Sequence, residues 1–236
     1  MPLAEKVNEV CPDVPVMGTG GILLPEEAEE FISSGKCNLV ALGRTVVAEP
    51  HWSRKAREEK AKNITPCIRC NVCYYQLWKS EPLICTMNPY VSHEAEQKMT
   101  PTNNPKKVMV VGAGPAGLRC ALTASKRGHD VTLYEKKPYI GGMVYPGSTP
   151  AFKEELGFVL KWFETELSES SVTVKLNTEV TTEMVETEAP EAIVIAVGGE
   201  TIVPDIPGID KPHVASAIDV LRDVSKYKGS KAVVIG

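Results

Sequence analysis

Residues 106–117 read KKVMVVGAGPAG. Val108 to Val111 form an apolar run that leads straight into Gly112, Gly114 and Gly117, and residues 115–128 continue as a helix. Strand, GxGxxG and helix in that order are expected to open a Rossmann-like α/β domain that binds a dinucleotide, the alternative being a purely structural glycine turn. The first glycine permits the tight turn, the second lets backbone approach a pyrophosphate, and the third lets helix and strand pack closely. The helix N-terminus adds free N–H groups and the positive end of a dipole. The next strand, VTLYE, ends in Glu135. A carboxylate there binds ribose hydroxyls and repels a 2′-phosphate, which leaves FAD, NAD or ADP as the nucleotide.

Downstream, the spacing predicts an amphipathic helix over about 151–168, with Phe152, Leu156, Val159, Leu160, Phe163 and Leu167 on one core face and Trp162 beside it. Residues 172–176, 192–197 and the terminal KAVVIG read as further strands. Upstream, residues 96–105 (EQKMTPTNNP) are polar and bounded by proline, as a linker is. Residues 14–22 (VPVMGTGGI) and 38–44 (NLVALGR) read as short strands that run into glycine loops. Between them, Pro25 suits a first helical turn and Gly35 the position just past a helix end, while Ala28, Phe31 and Ile32 supply its apolar face. Residues 51–62 read as a polar helix. Strand, helix, strand, helix favours a parallel sheet or barrel. Two such units cannot bury both faces of their strands, so they read as the tail of something larger.

The chain has 236 residues, which suits one or two domains at about 150 residues each. Hydrophobic residues make up 43% and charged residues 24%, which is ordinary globular usage and excludes a disordered, collagen-like or coiled-coil chain. Twenty-six basic residues against 30 acidic ones give a net charge of −4, with no basic surplus to draw nucleic acid or an anionic membrane. No apolar run approaches the roughly 20 residues of a membrane span. The N-terminal MPLAEKVNEV lacks the layout of a signal peptide, so a cytoplasmic location is expected.

An odd count of seven cysteines argues against a disulfide framework. Cys67, Cys70 and Cys73 form CxxCxxC, and Cys85 follows after 11 residues. Three close thiolates and a remote fourth suit a 4Fe-4S cluster. Structural zinc also takes four cysteines, but usually as two separated CxxC pairs, so it fits less well. Four unligated buried thiols are the bland alternative. Cys11, Cys37 and Cys120 read as small buried hydrophobes. His51, His93, His129 and His213 are scattered and read as surface or packing residues. In a barrel tail, GTGGI and ALGR would be the last two loops, where a phosphate often sits. The N–H groups of Gly20, Gly21 and Gly43 could cradle it and Arg44 could pair with it, although a glycine loop and one arginine are more often structural.

Two resemblances carry these readings further. VVGAGPAGL, GHDVTLYEK, IGGM and AIVIAVGGETIVPDIPGID resemble the FAD-binding half of two-dinucleotide flavoproteins. That resemblance implies FAD contacts at Gly112, Gly114, Pro115, Ala116, Glu135, Lys136, Gly142, Val180, Ala196 and Gly198. It also makes KAVVIG the first strand of an NAD(P)H domain. CIRCNVC followed by ICTMNP resembles the cluster segment of the 2,4-dienoyl-CoA reductase, 2-enoate reductase and trimethylamine dehydrogenase group. Those enzymes join an FMN barrel, a 4Fe-4S segment and an FAD or ADP domain in the order seen here. Arg69 stands where many members have glycine. The GTGGI and ALGR loops match the FMN-phosphate segments of the old yellow enzyme group, which implies FMN contacts at Gly20, Gly21, Gly43 and Arg44.

The expected architecture is therefore α/β: the last two βα units of an FMN-binding (β/α)8 barrel over residues 1–62, a 4Fe-4S segment and linker over 63–104, and a Rossmann-like FAD domain over 105–236 that stops as the NAD(P)H domain begins. The resemblance implies an NAD(P)H-dependent oxidoreductase that reduces an activated C=C bond of a small-molecule substrate, an enoate or enoyl thioester. Substrate-activating groups come from earlier barrel strands in that group, so no catalytic residue is assigned and the chain alone is expected to be inactive. The missing barrel and NAD(P)H domain are the implied partners. The alternatives are an amine dehydrogenase-like electron-transfer protein holding ADP, or a nucleotide-binding module with structural zinc.

Overall fold

A computed structural model describes residues 2–235, so Met1 and Gly236, the last residue of KAVVIG, lie outside it. The chain forms two compact units, residues 1–98 and 99–236.

The first unit is built on two parallel strands, β1 (Met17–Thr19) and β2 (Leu39–Ala41), with Met17 opposite Leu39 and Thr19 opposite Ala41. Helix α1 (Pro2–Val10) precedes them and α2 (Pro25–Ser33) crosses between them. Pro25 opens α2, and the Glu27 carboxylate accepts the N–H groups of Leu23 and Leu24 at 2.7 and 2.9 Å, which ties the entering chain to the first turn. Helix α3 (Arg44–Ala48) starts at the end of the β2 loop, and α4 (Trp52–Arg57) follows. The core of this unit gathers Ile22, Ala28, Trp52 and Ile64, with Phe31, Val40 and Val46 against it. The indole N–H of Trp52 donates to the Leu23 carbonyl at 2.9 Å, so the one polar atom of that ring is satisfied inside the core. Leu3, Val7, Val10, Met17 and Leu39 are all at least half exposed or nearly so, which leaves apolar side chains open to water on α1, β1 and β2.

Residues 63–90 read as loop from the sequence, but α5 (Val72–Trp78) forms within them. Its residues, VCYYQLW, show no amphipathic alternation, and none is buried. Cys11 lies one residue past α1 and is exposed, which corrects its reading as a buried hydrophobe; Cys37 is buried and Cys120 half-buried. All seven cysteines are free thiols.

The second unit carries a four-stranded parallel sheet in the order β5-β4-β3-β6. Its strands are β3 (Lys107–Val111), β4 (Asp130–Tyr134), β5 (Thr173–Lys175) and β6 (Ala192–Ile195). Helix α6 (Pro115–Lys126) joins β3 to β4, and the short α7 (Val144–Gly147) and long α8 (Glu154–Ser168) join β4 to β5. Helix α9 (Thr182–Glu188), capped by the Thr181 hydroxyl accepting the Met184 N–H at 3.2 Å, joins β5 to β6. Parallel strands need such crossovers, and the sheet order places β3 centrally. Val108, Met109 and Val110 are buried on it. Leu118 and Leu122 on α6, both essentially fully buried, each contribute about 1.5–3 kcal/mol through removal of apolar surface from water.

Three expectations in this unit are corrected. Phe152 is 82% exposed, because residues 151–153 form a 3-10 turn and lose the helical phase before α8 begins at Glu154. Trp162, read as lying beside the apolar stripe, is buried with Val159 and Phe163 in the core. Residues 231–235, read as a buried strand, are not in a strand, and Val233 and Val234 are 90% exposed. A strand is defined by hydrogen bonds to a neighbour, and none runs beside this one among the described residues.

Candidate functional site

The nucleotide-binding residues predicted in the second unit are brought together at the C-terminal edge of β3. The Gly112 N–H donates to the Tyr134 carbonyl at 2.8 Å, so the glycine loop begins in register with the end of β4. Gly112 has φ +102°, and a Cβ there would lie 2.4 Å from the Ala196 carbonyl oxygen. A Cβ on Gly117 would lie 1.9 Å from the Gly112 carbonyl oxygen. Both positions therefore require glycine on steric grounds. Gly114 differs, since nothing lies nearer than 4.0 Å to its missing Cβ. It caps α6, with Pro115 in the first turn. The middle glycine thus leaves room, bounded by the Gly142 Cα at 4.0 Å, at the N-terminus of a twelve-residue helix, where an anion is stabilised.

Glu135 is buried at the end of β4. Its Oε2 accepts the Ala113 N–H at 2.8 Å and its Oε1 the Lys137 N–H at 2.9 Å. Its backbone carbonyl accepts the Thr178 N–H at 2.9 Å, which draws the 177–180 loop, with the half-buried Val180, to the same edge. Lys136 lies 3.8 Å from the Glu179 carboxylate in an exposed pair. A Cβ on Gly142 would stand 3.0 Å from the Gly114 Cα, and the Gly141 N–H donates to the Ala113 carbonyl at 2.8 Å. The IGG segment is therefore folded onto the glycine loop. Ala196 continues β6 with its N–H on the Val111 carbonyl, and Gly198 lies exposed beyond it. Ala113 and Gly141 act here through backbone alone and carry no side-chain signal in the sequence. The open cradle at Gly114, the helix terminus and the adjacent carboxylate together fit a dinucleotide.

In the first unit, Gly20, Gly21, Gly43 and Arg44 line one cleft of about 490 Å³. Thr45 fixes the two loops to each other, its buried hydroxyl donating to the Ile22 carbonyl at 2.6 Å. The cysteine segment closes the cleft's other wall with Cys67, Arg69 and Asn71. Arg44 donates to the Asn71 side-chain oxygen, and Arg69 donates to the Gly21 carbonyl at 2.9 Å. Arg69 has φ +52°, the left-handed region that glycine enters freely. Sequence reasoning gave Arg69 and Asn71 no role. The lining has two guanidiniums and no carboxylate, which fits a phosphate.

Burial pushes the Cys67 thiol up; the Arg69 backbone N–H and the Arg44 charge oppose this, and the neighbouring Cys85 and Cys70 add to it. Three of the four cysteines are thus electrostatic neighbours. Cys73 lies in the first turn of α5, and Cys70 Sγ lies 3.3 Å from the Thr86 hydroxyl. As placed, the described residues contain no group of three or more His, Cys, Asp or Glu side chains converging on a metal position. The donor set, four free thiols within one segment, fits a thiophilic cluster in its chemistry. Of the histidines, His93 pairs with Glu96 at 3.2 Å, His129 Nδ1 accepts the Lys106 N–H at 3.1 Å, and His51 and His213 are exposed. No helix of the described residues is long and apolar enough to cross a membrane.

Comparison with known proteins agrees with this geometry. Residues 106–236 match the family described as pyridine nucleotide-disulphide oxidoreductase. An NADH oxidase from Thermoanaerobacter brockii is 39% identical over 99% of this chain and 37% of its own length. A cinnamate reductase from Clostridium sporogenes is 35% identical over 100% of this chain and 35% of its own length. The solved structure of a 2-naphthoyl-CoA reductase with 2-naphthoyl-CoA superposes with a TM-score of 0.89 at 32% identity, over 94% of this chain and 34% of that one. The chain spans little more than a third of the length of these relatives. They bear out the resemblance read from CIRCNVC and the FAD-type motifs. With the family match covering more than half of its residues, including the glycine loop and Glu135, the chain belongs to the pyridine nucleotide-disulphide oxidoreductases, a family of flavin-dependent NAD(P)H enzymes.

Proposed function

We propose that this chain is the central segment of a flavin and iron–sulfur oxidoreductase that passes electrons from NAD(P)H through FAD and a 4Fe-4S cluster to FMN, for reduction of an activated C=C bond. The observation that carries the proposal is the joining, in one chain, of a dinucleotide site at Gly112–Gly117 with a cationic cleft walled by a four-cysteine segment. A cluster suits the middle position because it carries one electron at a time, whereas a flavin carries one or two.

Each group has residues suited to it. Gly114, the N-terminus of α6 and Glu135 would hold the FAD pyrophosphate and ribose, with Lys136, Gly142, Val180, Ala196 and Gly198 along the cofactor. Gly20, Gly21, Gly43 and Arg44 would hold the FMN phosphate. Cys67, Cys70, Cys73 and Cys85 would ligate the cluster. The exposed apolar side chains of α1, β1 and β2 support further barrel strands beside them. Cinnamate and 2-naphthoyl-CoA, named for two of the relatives, both conjugate an unsaturated carbon framework to a carboxyl or thioester carbonyl. That chemistry favours an enoate or enoyl thioester as substrate here.

Extraction of the nucleotide tests this reading. Heat-denatured protein purified under anaerobic conditions should release FAD, identified by chromatography and fluorescence. Release of ADP alone would replace the hydride-accepting role of the second unit with that of a nucleotide-binding scaffold.

A further inference from the structure

Residues 65–88 carry all four cysteines proposed as cluster ligands, and both ends of this segment are tied to the same short stretch, residues 47–49 at the end of α3. At the upstream end, the Glu49 carboxylate is the anchor. It is only 5% exposed, yet it takes four donors. Oε2 accepts the Thr65 N–H at 3.2 Å, the Thr65 hydroxyl at 3.1 Å and the Lys55 ammonium at 2.6 Å, and Oε1 accepts the His51 N–H at 3.0 Å. Lys55 also reaches the Asn63 carbonyl at 2.6 Å, so the approach to Thr65 is held twice. At the downstream end, Asn88 is the anchor, 6% exposed. Its Nδ2 donates to the Val47 carbonyl at 2.9 Å and its Oδ1 accepts the Tyr90 N–H at 3.0 Å.

Thr65 stands two residues before Cys67, and Asn88 three residues after Cys85. None of these bonds includes a thiol. We infer that Glu49 and Asn88 are positioning residues that close the base of the cysteine-bearing loop on α3, holding the two ends of that loop together before any metal arrives. A buried charge and a buried amide, each hydrogen-bonded, are an expensive way to fill space and a specific way to fix a loop. Closing the base in advance removes much of the ordering that cluster binding would otherwise require. Because α3 also begins at Arg44, the same five-residue helix holds the cationic cleft at one end and the ligand loop at the other. The inference rests on the iron–sulfur reading.

The test uses the full chain, reconstituted anaerobically with ferrous iron and sulfide, in wild type, Glu49→Gln, Asn88→Asp and Cys67→Ser forms. Glu49→Gln removes the charge and replaces one accepting oxygen with an amide N–H2 that faces donors. Asn88→Asp removes the donor to Val47 and keeps the acceptor for Tyr90. Three quantities are read: the rate of iron transfer to a chelator, the absorption and electron paramagnetic resonance spectra, and amide exchange at Thr65 and around Asn88 in the metal-free protein. Both positioning variants should keep the wild-type spectra, lose iron about 10-fold faster or more, and lose amide protection at Thr65 or around Asn88, whereas Cys67→Ser changes the spectra themselves. Wild-type release rates in both variants, with the cluster spectra intact, would overturn the inference and leave the iron–sulfur reading standing. A wild-type chain that takes up no iron would overturn the reading beneath it. If Glu49→Gln fails to fold, Asn88→Asp decides.

Discussion

Oε2 of Glu135 accepts the backbone N–H of Ala113 at 2.8 Å, so the end of β4 grips the centre of the glycine loop. That bond shapes the turn between Gly112 and Gly114. We propose that the same carboxylate also receives ribose hydroxyls.

Glu135→Gln should weaken both. A hydrogen bond to a charged acceptor is worth about 1.5–3 kcal/mol, so affinity for FAD should fall about 10- to 100-fold in a fluorescence titration. Unchanged affinity would remove Glu135 from the site.

The glycine loop makes a steric prediction that separates close packing from mere turn formation. In Gly117→Ala the new methyl would meet the Gly112 carbonyl oxygen at 1.9 Å. Such overpacking costs about 1–3 kcal/mol or more, seen as a lower urea midpoint for the second unit. Gly157→Ala in α8 is the control, since nothing lies within 4 Å of its missing Cβ and its place inside a helix suits alanine; the urea midpoint of the second unit should not fall.

Glu49 sets an acid limit on the first unit. Burial opposes its ionisation, but the hydrogen bond and charge of Lys55 and the N–H groups of Thr65 and His51 outweigh burial and hold the carboxyl below the usual 4.5. A depressed carboxyl stabilises the fold fully above its unfolded pKa and loses that contribution as pH falls through the folded one. The stability advantage of wild type over Glu49→Gln should therefore be constant above pH 4.5 and shrink below it. Denaturant titrations across that range measure it, and an advantage that grows on acidification would contradict the assignment.

Arg44 is expected to read phosphate and not flavin ring. In the polypeptide carrying the whole barrel, Arg44→Met should weaken FMN far more than riboflavin, which lacks the phosphate. Equal loss for both ligands would show a structural role alone.

The parts legible in sequence were those in which neighbouring residues decide the outcome. Strand, glycine loop and helix at Val108–Lys126 follow from local pattern, and so does the acidic end of β4. Phe152 was misread because helical spacing was extended through a 3-10 turn that periodicity does not reveal. Val233 and Val234 carry strand-forming side chains, but pairing depends on a neighbour and not on their own identity. The clasp of Asn88 on Val47 joins residues 41 apart, and the reach of Arg69 to Gly21 spans 48. No local pattern encodes such contacts, so the cysteine motif was visible while the groups that hold it were not.

The central claim is that the four cysteines hold an iron–sulfur cluster beside a phosphate cleft, as part of an NAD(P)H-linked flavin oxidoreductase. Iron, zinc and acid-labile sulfide, quantified together on anaerobically purified protein, test it most directly. About four iron and four sulfide per chain are expected, with zinc absent and both lost in Cys67→Ser. Stoichiometric zinc without iron or sulfide would contradict the claim.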